Sequence, residues 1–382
     1  MDNRRSEQFT PASLWGKGRP WRRLGWLGGL GAVLLSGCSS LGYYGQAALG
    51  QWEVWSKQQA VESLLQDPTL DPLLKQRLIL AQAMLRFAEG AMGRTPKGKY
   101  GSYADLGRPY VVRVVYAAPE FSLSPVTWCF PVAGCLVYRG YFRPEAADAF
   151  AEGLRAQGLD VYVGGVPAYS TLGWFDDPLL NTFLHWPEER LVGLIFHELA
   201  HGRLYIADDA AFNESFAEVV AGIGARRWLT RRDPGEKLDA LARFEAHKRL
   251  HRRFTRFVQG LMEDLSRLYR EELPLEERRA ARLRRLSEAP EAWRRLAGAS
   301  AAGDSPESAE IHRYARWLGE GLNNAKLLSV STYARWVPAF EALYREQGEE
   351  MGAFFAAAEA LGALPPAERE EALRRLSMEG AR

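Results

Sequence analysis

His197 and His201 stand four residues apart in the stretch "LIFHELAHGRLY", with Glu198 beside the first of them. Only a helix turns that spacing into a single-face pair, because residues four apart lie one above the other and both imidazoles can aim at one point. Glu198 is rotated by about 100° from His197 and stands beside that point rather than over it. This is the H-E-x-x-H pattern, in which two histidines hold a metal and the acid takes a proton from water. The chain must therefore place a helix here, and a third ligand within reach of it.

The surrounding residues predict that helix. Pro187, Glu188 and Glu189 precede it, and proline suits a first helical turn, where acids also complement the helix dipole. The helix is expected to break near "ADDAAF", and "FNESFAEVVAGIGARRWL" predicts a second one directly after. A catalytic zinc site takes three protein ligands and keeps one position open. No histidine follows His201 until His247, so the candidates are Glu214 and Glu218, four apart on the second helix. Asn213 and Ser215 flank Glu214 and are expected to orient ligands through hydrogen bonds. His247 and His251 repeat the four-residue spacing, but Lys248, Arg249, Arg252 and Arg253 surround them. Cations repel a divalent metal, so that pair is read as surface or packing.

Upstream, "SLLQDPTLDPLLKQRLILAQAMLRFAEGAMG" has apolar residues at helical intervals. The period then changes. "YVVRVVYAAPEFSL" and "CLVYRGYF" predict strands around a turn with Pro131 and Gly134, "PEAADAFAEGLRAQG" a short amphipathic helix, and "LDVYVGG" and "AYSTLGWF" two further strands. Downstream, Glu236 to Arg270 predicts one long helix with Leu238, Leu241, Phe244, Phe254, Phe257, Leu261, Leu265 and Leu268 on one face. Pro274 ends it and a second basic helix returns, making an αα-hairpin. "AGASAAGDSPES" is linker-like, and helices follow to the C-terminus.

Lys/Arg and Asp/Glu nearly cancel to a net charge of +2, which argues against a nucleic-acid partner. Arg19, Arg22 and Arg23 precede the apolar run Leu24 to Leu35. That pattern is an export signal, too short for the roughly 20 apolar residues of a membrane span. The run ends in "LSGCSS", which resembles the lipobox of bacterial lipoproteins. The resemblance implies cleavage before Cys38, lipidation of that cysteine and an anchor in the lipid bilayer. Ser39 in place of an aspartate favours the outer membrane, with the catalytic part in the periplasm. In that oxidising compartment Cys129 and Cys135, six positions apart across a Pro/Gly turn, can close a hairpin as a disulfide; two buried thiols are the alternative.

Several stretches together resemble the bacterial predicted aminopeptidase lipoproteins: "GCSSLGYYGQAALGQ", "WCFPVAGCLVYRGYF", "DVYVGGVPAYSTLGWFDDPLL", "IFHELAHGRLY", "AFNESFAEVV" and "LNNAKLLSVSTYARWVPAF". "Asn-Glu" early in the second helix also resembles the third-ligand motif of gluzincins, the thermolysin-like metallopeptidases. The resemblance implies one zinc ion on His197, His201 and Glu214, with Glu198 as general base. That chemistry needs zinc and one further donor to stabilise the oxyanion, and the donor is assigned to Tyr333 with Tyr205 as the alternative. In zincins the strand before the active-site helix aligns the peptide, which assigns substrate binding here to Ser170, Thr171, Gly173, Trp174 and Asp176; Asp176 and Asp177 are the candidate anions for a substrate's free α-amine. The expected activity is a membrane-anchored zinc peptidase on peptide substrates, an aminopeptidase first. A zinc endopeptidase of the cell envelope and a non-catalytic zincin-fold scaffold are the alternatives.

The expected fold class is α+β: a zincin-like metallopeptidase, with a small mixed sheet before the H-E-x-x-H helix and a largely helical C-terminal half. The expected organisation is a signal peptide at 1–37, a lipidated tether at 38–45 and an α+β catalytic region at 46–230. A basic helical hairpin at 231–298 follows, and a helical region at 299–382 completes the catalytic domain.

Overall fold

In the computed structural model the described residues are 42–92, 100–130, 134–168, 176–231, 234–298, 306–331 and 335–379. The signal segment, Cys38, Ser170, Thr171, Gly173, Trp174 and Tyr333 lie outside them. The chain divides into a short unit, Met1–Leu49, of which the helical residues 42–49 are described, and a large unit, Gly50–Arg382. Among the described residues no helix is long and apolar enough to cross a membrane.

The large unit opens with helical residues 50–56 (α1), strand β1 (Gln59–Ala60), and helices α2 (Val61–Gln66) and α3 (Pro72–Met92). Strands β2 (Ser102–Ala104), β3 (Val112–Pro119), β4 (Trp128–Phe130), β5 (Gly134–Leu136) and β6 (Arg139–Tyr141) follow. Helix α4 (Pro144–Arg155) leads to β7 (Leu159–Val166), β8 (Leu179–Leu180) and the single turn α5 (Asn181–Leu184). β3 is the centre of one sheet, antiparallel to both β6 and β7. Its run from Val114 to Ala118 is buried throughout, as expected of a strand covered on both faces rather than one. β1 and β8 flank β2, antiparallel and parallel respectively, in a small mixed sheet. The predicted strand "CLVYRGYF" is divided in two: a bend at Val137 and Tyr138 lets β5 pair with β4 and β6 pair with β3.

From there the chain is helical: α6 (Glu188–Arg203), α7 (Ala210–Leu229), α8 (Pro234–Arg270), α9 (Leu275–Ala297), α10 (Pro306–Gly319), α11 (Asn324–Ser331), α12 (Val337–Glu346), α13 (Met351–Gly362) and α14 (Pro366–Glu379). The architecture is thus α+β with small sheets ahead of a helical majority. Pro187 caps α6, and Glu188 and Glu189 fill its first turn. α6 and α7 pack closely. Gly224 permits this, since a Cβ there would stand 2.3 Å from the Phe196 ring. Phe212 and Phe216 of α7 then carry the core on to Phe340, Phe354 and Phe355 of α12 and α13.

A second apolar cluster lies along the long helix. Leu250, Phe254, Val258, Leu261 and Leu265 of α8 meet Leu286 and Trp293 of α9 and Ile311 and Leu318 of α10. Phe244, nearer the start of α8, belongs instead to the cluster that surrounds α6 and α7. The αα-hairpin is therefore shared between two cores. Buried Arg282 of α9 pairs with Asp160 of β7, and the backbone N–H of Asn324 donates to the same carboxylate at 2.9 Å. The Asn324 amide also donates to the carbonyls of Pro119, Glu120 and Ser122. These bonds lock the helical half to the end of the β3–β7 ribbon.

Candidate metal centre

α6 ends at Arg203 because Leu204 turns extended, and the loop to α7 spans only Leu204 to Asp209. Two side chains hold that loop. Asp209 caps α7 by accepting from the Phe212 N–H at 3.1 Å, and its other oxygen receives Arg369 Nε at 2.9 Å. Buried Asn213 clasps Ile206, accepting from its N–H at 2.8 Å and donating to its carbonyl at 2.7 Å. Ser215 Oγ accepts from the Trp336 N–H at 3.0 Å. Asn213 and Ser215, expected to bond the ligands, bond the backbone instead. They fix the start of α7, and Glu214 sits between them.

That geometry brings the three candidates together. His197 Nε2 and His201 Nε2 are 3.2 Å apart, and Glu214 lies 3.3 Å from the first and 3.8 Å from the second. Zinc bonds of about 2.0–2.2 Å in a tetrahedral arrangement place neighbouring donor atoms roughly 3.3–3.6 Å apart. The observed separations bracket that range, Glu214 presenting Oε2 to His197 and Oε1 to His201, so small side-chain shifts bring the donor set onto a single ion. Among the described residues His197, His201 and Glu214 form the only group able to hold a metal. His197 and Glu214 keep 20% of their side-chain surface exposed, so the site opens to solvent.

The local field favours a cation. Burial alone would lower the His197 pKa, but the hydrogen bond with Glu214 and the charges of Glu198, Glu214 and Glu218 raise it to about 9. Burial likewise pushes the Glu214 carboxyl up, and the two histidines bring it below its ordinary value. In the metal-free chain a proton on His197 supplies the positive charge this pocket calls for.

Glu198 is buried beside the pair. Its charge reaches Tyr100 and Tyr138, and burial together with nearby carboxylates raises both phenols well above their ordinary range. Tyr138 also senses Glu214 and Tyr205. Tyr205, the sequence alternative for oxyanion donor, senses Glu214 and is raised chiefly by burial. Tyr138 had no local signal in the sequence. It is brought here by the β4–β5 hairpin, which a Cys129–Cys135 disulfide closes between register partners. Cys135 N–H donates to Asp208 Oδ1 at 2.9 Å, pinning the hairpin to the loop between α6 and α7. Gly134, at φ +73°, is required there because a Cβ would lie 2.1 Å from the same carboxylate oxygen.

Asp176, assigned to substrate binding, is exposed, whereas its neighbour Asp177 is buried. The Asp177 carbonyl accepts from the Tyr100 N–H at 2.8 Å, and its charge acts on the Tyr100 phenol together with that of Glu198. Of the two aspartates, Asp177 is thus the one on the side of the general-base candidate. His247 and His251 stay out of the metal group. Their Nδ1 atoms lie 2.9 Å from Glu310 and 3.0 Å from the Tyr314 hydroxyl.

A family model described as "Putative aminopeptidase" matches residues 42–373, a span that includes both metal-site helices and all the C-terminal helices through most of α14. The chain belongs to this putative aminopeptidase family. No curated protein and no solved structure matches it. Membership in the aminopeptidase family supports a peptidase acting on peptides, and the His197–His201–Glu214 group could hold its metal cofactor.

Proposed function

We propose that this chain is a zinc-dependent peptidase of the bacterial cell envelope, an aminopeptidase in the first instance, lipid-anchored through Cys38 with its catalytic part in the periplasm. The observation that carries the metallopeptidase reading is the close approach of His197, His201 and Glu214 with Glu198 buried alongside. Two imidazoles and a carboxylate suit zinc. When bound, zinc supplies Lewis acidity, lowering the pKa of water to about 7 and polarising a carbonyl.

The chain's own residues do the rest. Glu198 takes the proton from the attacking water on a carboxylate oxygen. As the new carbon–oxygen bond forms and the carbon–nitrogen bond breaks, Glu198 gives that proton to the leaving amine. Tyr138 and Tyr205 are the described phenols whose ionisation responds to Glu214. Held protonated, such a phenol serves as a hydrogen-bond donor to the carbonyl oxygen and not as a base. An exopeptidase also requires an anion for the substrate's α-ammonium group, and Asp177 beside Tyr100 is the better placed of the two aspartates.

The test uses the purified full-length chain. Metal content and cleavage of a peptide library are measured for the wild type and for Glu198→Gln. The expected result is one zinc per chain in both proteins, with cleavage lowered about 10²- to 10⁴-fold in the variant. Full zinc occupancy with no cleavage by the wild type would sink the enzyme reading in favour of a scaffold. N-acetylation of the peptides decides the specificity: an aminopeptidase loses its substrate, and an endopeptidase is indifferent.

A further inference from the structure

α6 and α7 face each other with two pairs at the same spacing, His197/His201 and Glu214/Glu218. Four-residue spacing puts each pair on one helix face, and both imidazole and carboxylate ligate zinc. All four side chains could therefore close around one ion. A structural zinc site is closed in this way by four protein ligands, whereas a catalytic one keeps a position open for water. Which of the two this site becomes depends on where Glu218 points.

In the structure Glu218 is near enough for its charge to act on His197 and Glu214, but it is paired with a cation instead of joining the donor group. Lys248 Nζ, reaching over from α8, donates to Glu218 Oε1 at 2.7 Å. The metal group accordingly contains Glu214 without Glu218. Lys248 can lie against α7 because Gly222, one turn beyond Glu218, has no side chain. A Cβ at Gly222 would stand 3.1 Å from Lys248 Nζ and 3.6 Å from Cε. Glu214, Glu218 and Gly222 thus form a row along one face of α7: a ligand, a would-be ligand and the gap that admits its counter-ion.

We propose that Lys248 is a positioning residue that holds Glu218 out of the metal's coordination sphere and so keeps the fourth position open. This rests on the metallopeptidase reading of the site. An ion pair suits the purpose because it offers the carboxylate a competing cation without occupying the site itself. Lys248 keeps 15% of its side-chain surface exposed and Glu218 35%, so the pair is partly hydrated and its hold is competitive rather than permanent.

The test measures zinc affinity, by competition with a chromophoric chelator, on full-length wild type, Lys248→Met, Glu218→Gln/Lys248→Met and Gly222→Ala, with kcat recorded for each. Releasing Glu218 in Lys248→Met should tighten zinc binding on the order of tenfold or more and abolish turnover. The double variant should return affinity to the wild-type value. Gly222→Ala, which keeps every charge and favours helix, should shift affinity in the same direction by less, and serves if Lys248→Met does not fold. Removing the Lys248 charge by itself also favours a bound cation, so the charge-conserving Gly222→Ala and the loss of turnover are the readouts that a merely structural lysine would not move. Unchanged or weaker zinc binding in both Lys248→Met and Gly222→Ala overturns the proposal while leaving the metallopeptidase reading standing. A wild type that binds no zinc overturns both.

Discussion

Asn213→Ala tests whether the metal centre is held by its loop. The Asn213 amide makes two hydrogen bonds to Ile206, at 2.8 Å and 2.7 Å. Each such bond contributes about 0.5–1.5 kcal/mol net. Truncation also strands the N–H and carbonyl of Ile206, at about 1–3 kcal/mol for a group fully buried. Ile206 is only partly buried, so water can recover some of that. The expected loss is therefore about 2–4 kcal/mol. It should appear as a lower urea midpoint at unchanged slope, measured with EDTA present so that metal binding does not contribute. Because Glu214 is the next residue, zinc affinity should fall with it. Asn213→Asp separates the two bonds: it keeps an acceptor for the Ile206 N–H and sets a carboxylate against the Ile206 carbonyl. A change below about 0.5 kcal/mol, the range of ordinary surface substitutions, would refute the claim that this clasp positions the ligand helix.

Other outcomes follow from the same geometry. His197 is held at about 9 against an ordinary 6.5, so its stabilisation of the metal-free chain is full below pH 6.5 and is lost as the pH climbs through about 9. Urea unfolding across that window should show the decline in EDTA and not in saturating zinc, where the ligand must be neutral. Tyr138→Phe keeps the ring against Tyr116 and removes only the hydroxyl, so kcat should drop about 10²-fold with zinc content unchanged; an unaltered kcat moves the donor role elsewhere. Gly134→Ala puts a side chain where φ is +73° and into the Asp208 carboxylate. It should cost about 1–2 kcal/mol from the left-handed backbone alone, read as a lower thermal midpoint.

How much of this was legible in the chain depends on how local each signal is. The H-E-x-x-H helix was, since Pro187, the two acids after it and the four-residue spacing are all contained within one element. So was α8, which runs to Arg270 as the helical spacing of its apolar residues predicts. The division of "CLVYRGYF" was not, because a bend between β5 and β6 is set by two different pairing partners and by no residue within the run. For the same reason the partners of Asn213 and Ser215 are not legible locally. Their neighbour Glu214 is close in sequence, but the backbone groups they bind belong to the preceding loop and to Trp336. By sequence alone Lys248 is only a cation that repels metal from His247. That it serves Glu218 instead depends on the packing of α8 against α7, which no spacing within either helix reveals.

The bond from Arg369 to Asp209 spans 160 positions, joining the cap of the ligand-bearing helix to α14. A ribosome releases His197, His201 and Glu214 well before it releases that arginine. Through that interval the nascent chain holds all three donors with the Asp209 cap still lacking its arginine partner. A fragment that stops short of α14 would keep His197, His201, Glu214 and the Asn213 clasp, but would lose one of the two side-chain contacts that hold the loop between the ligand helices.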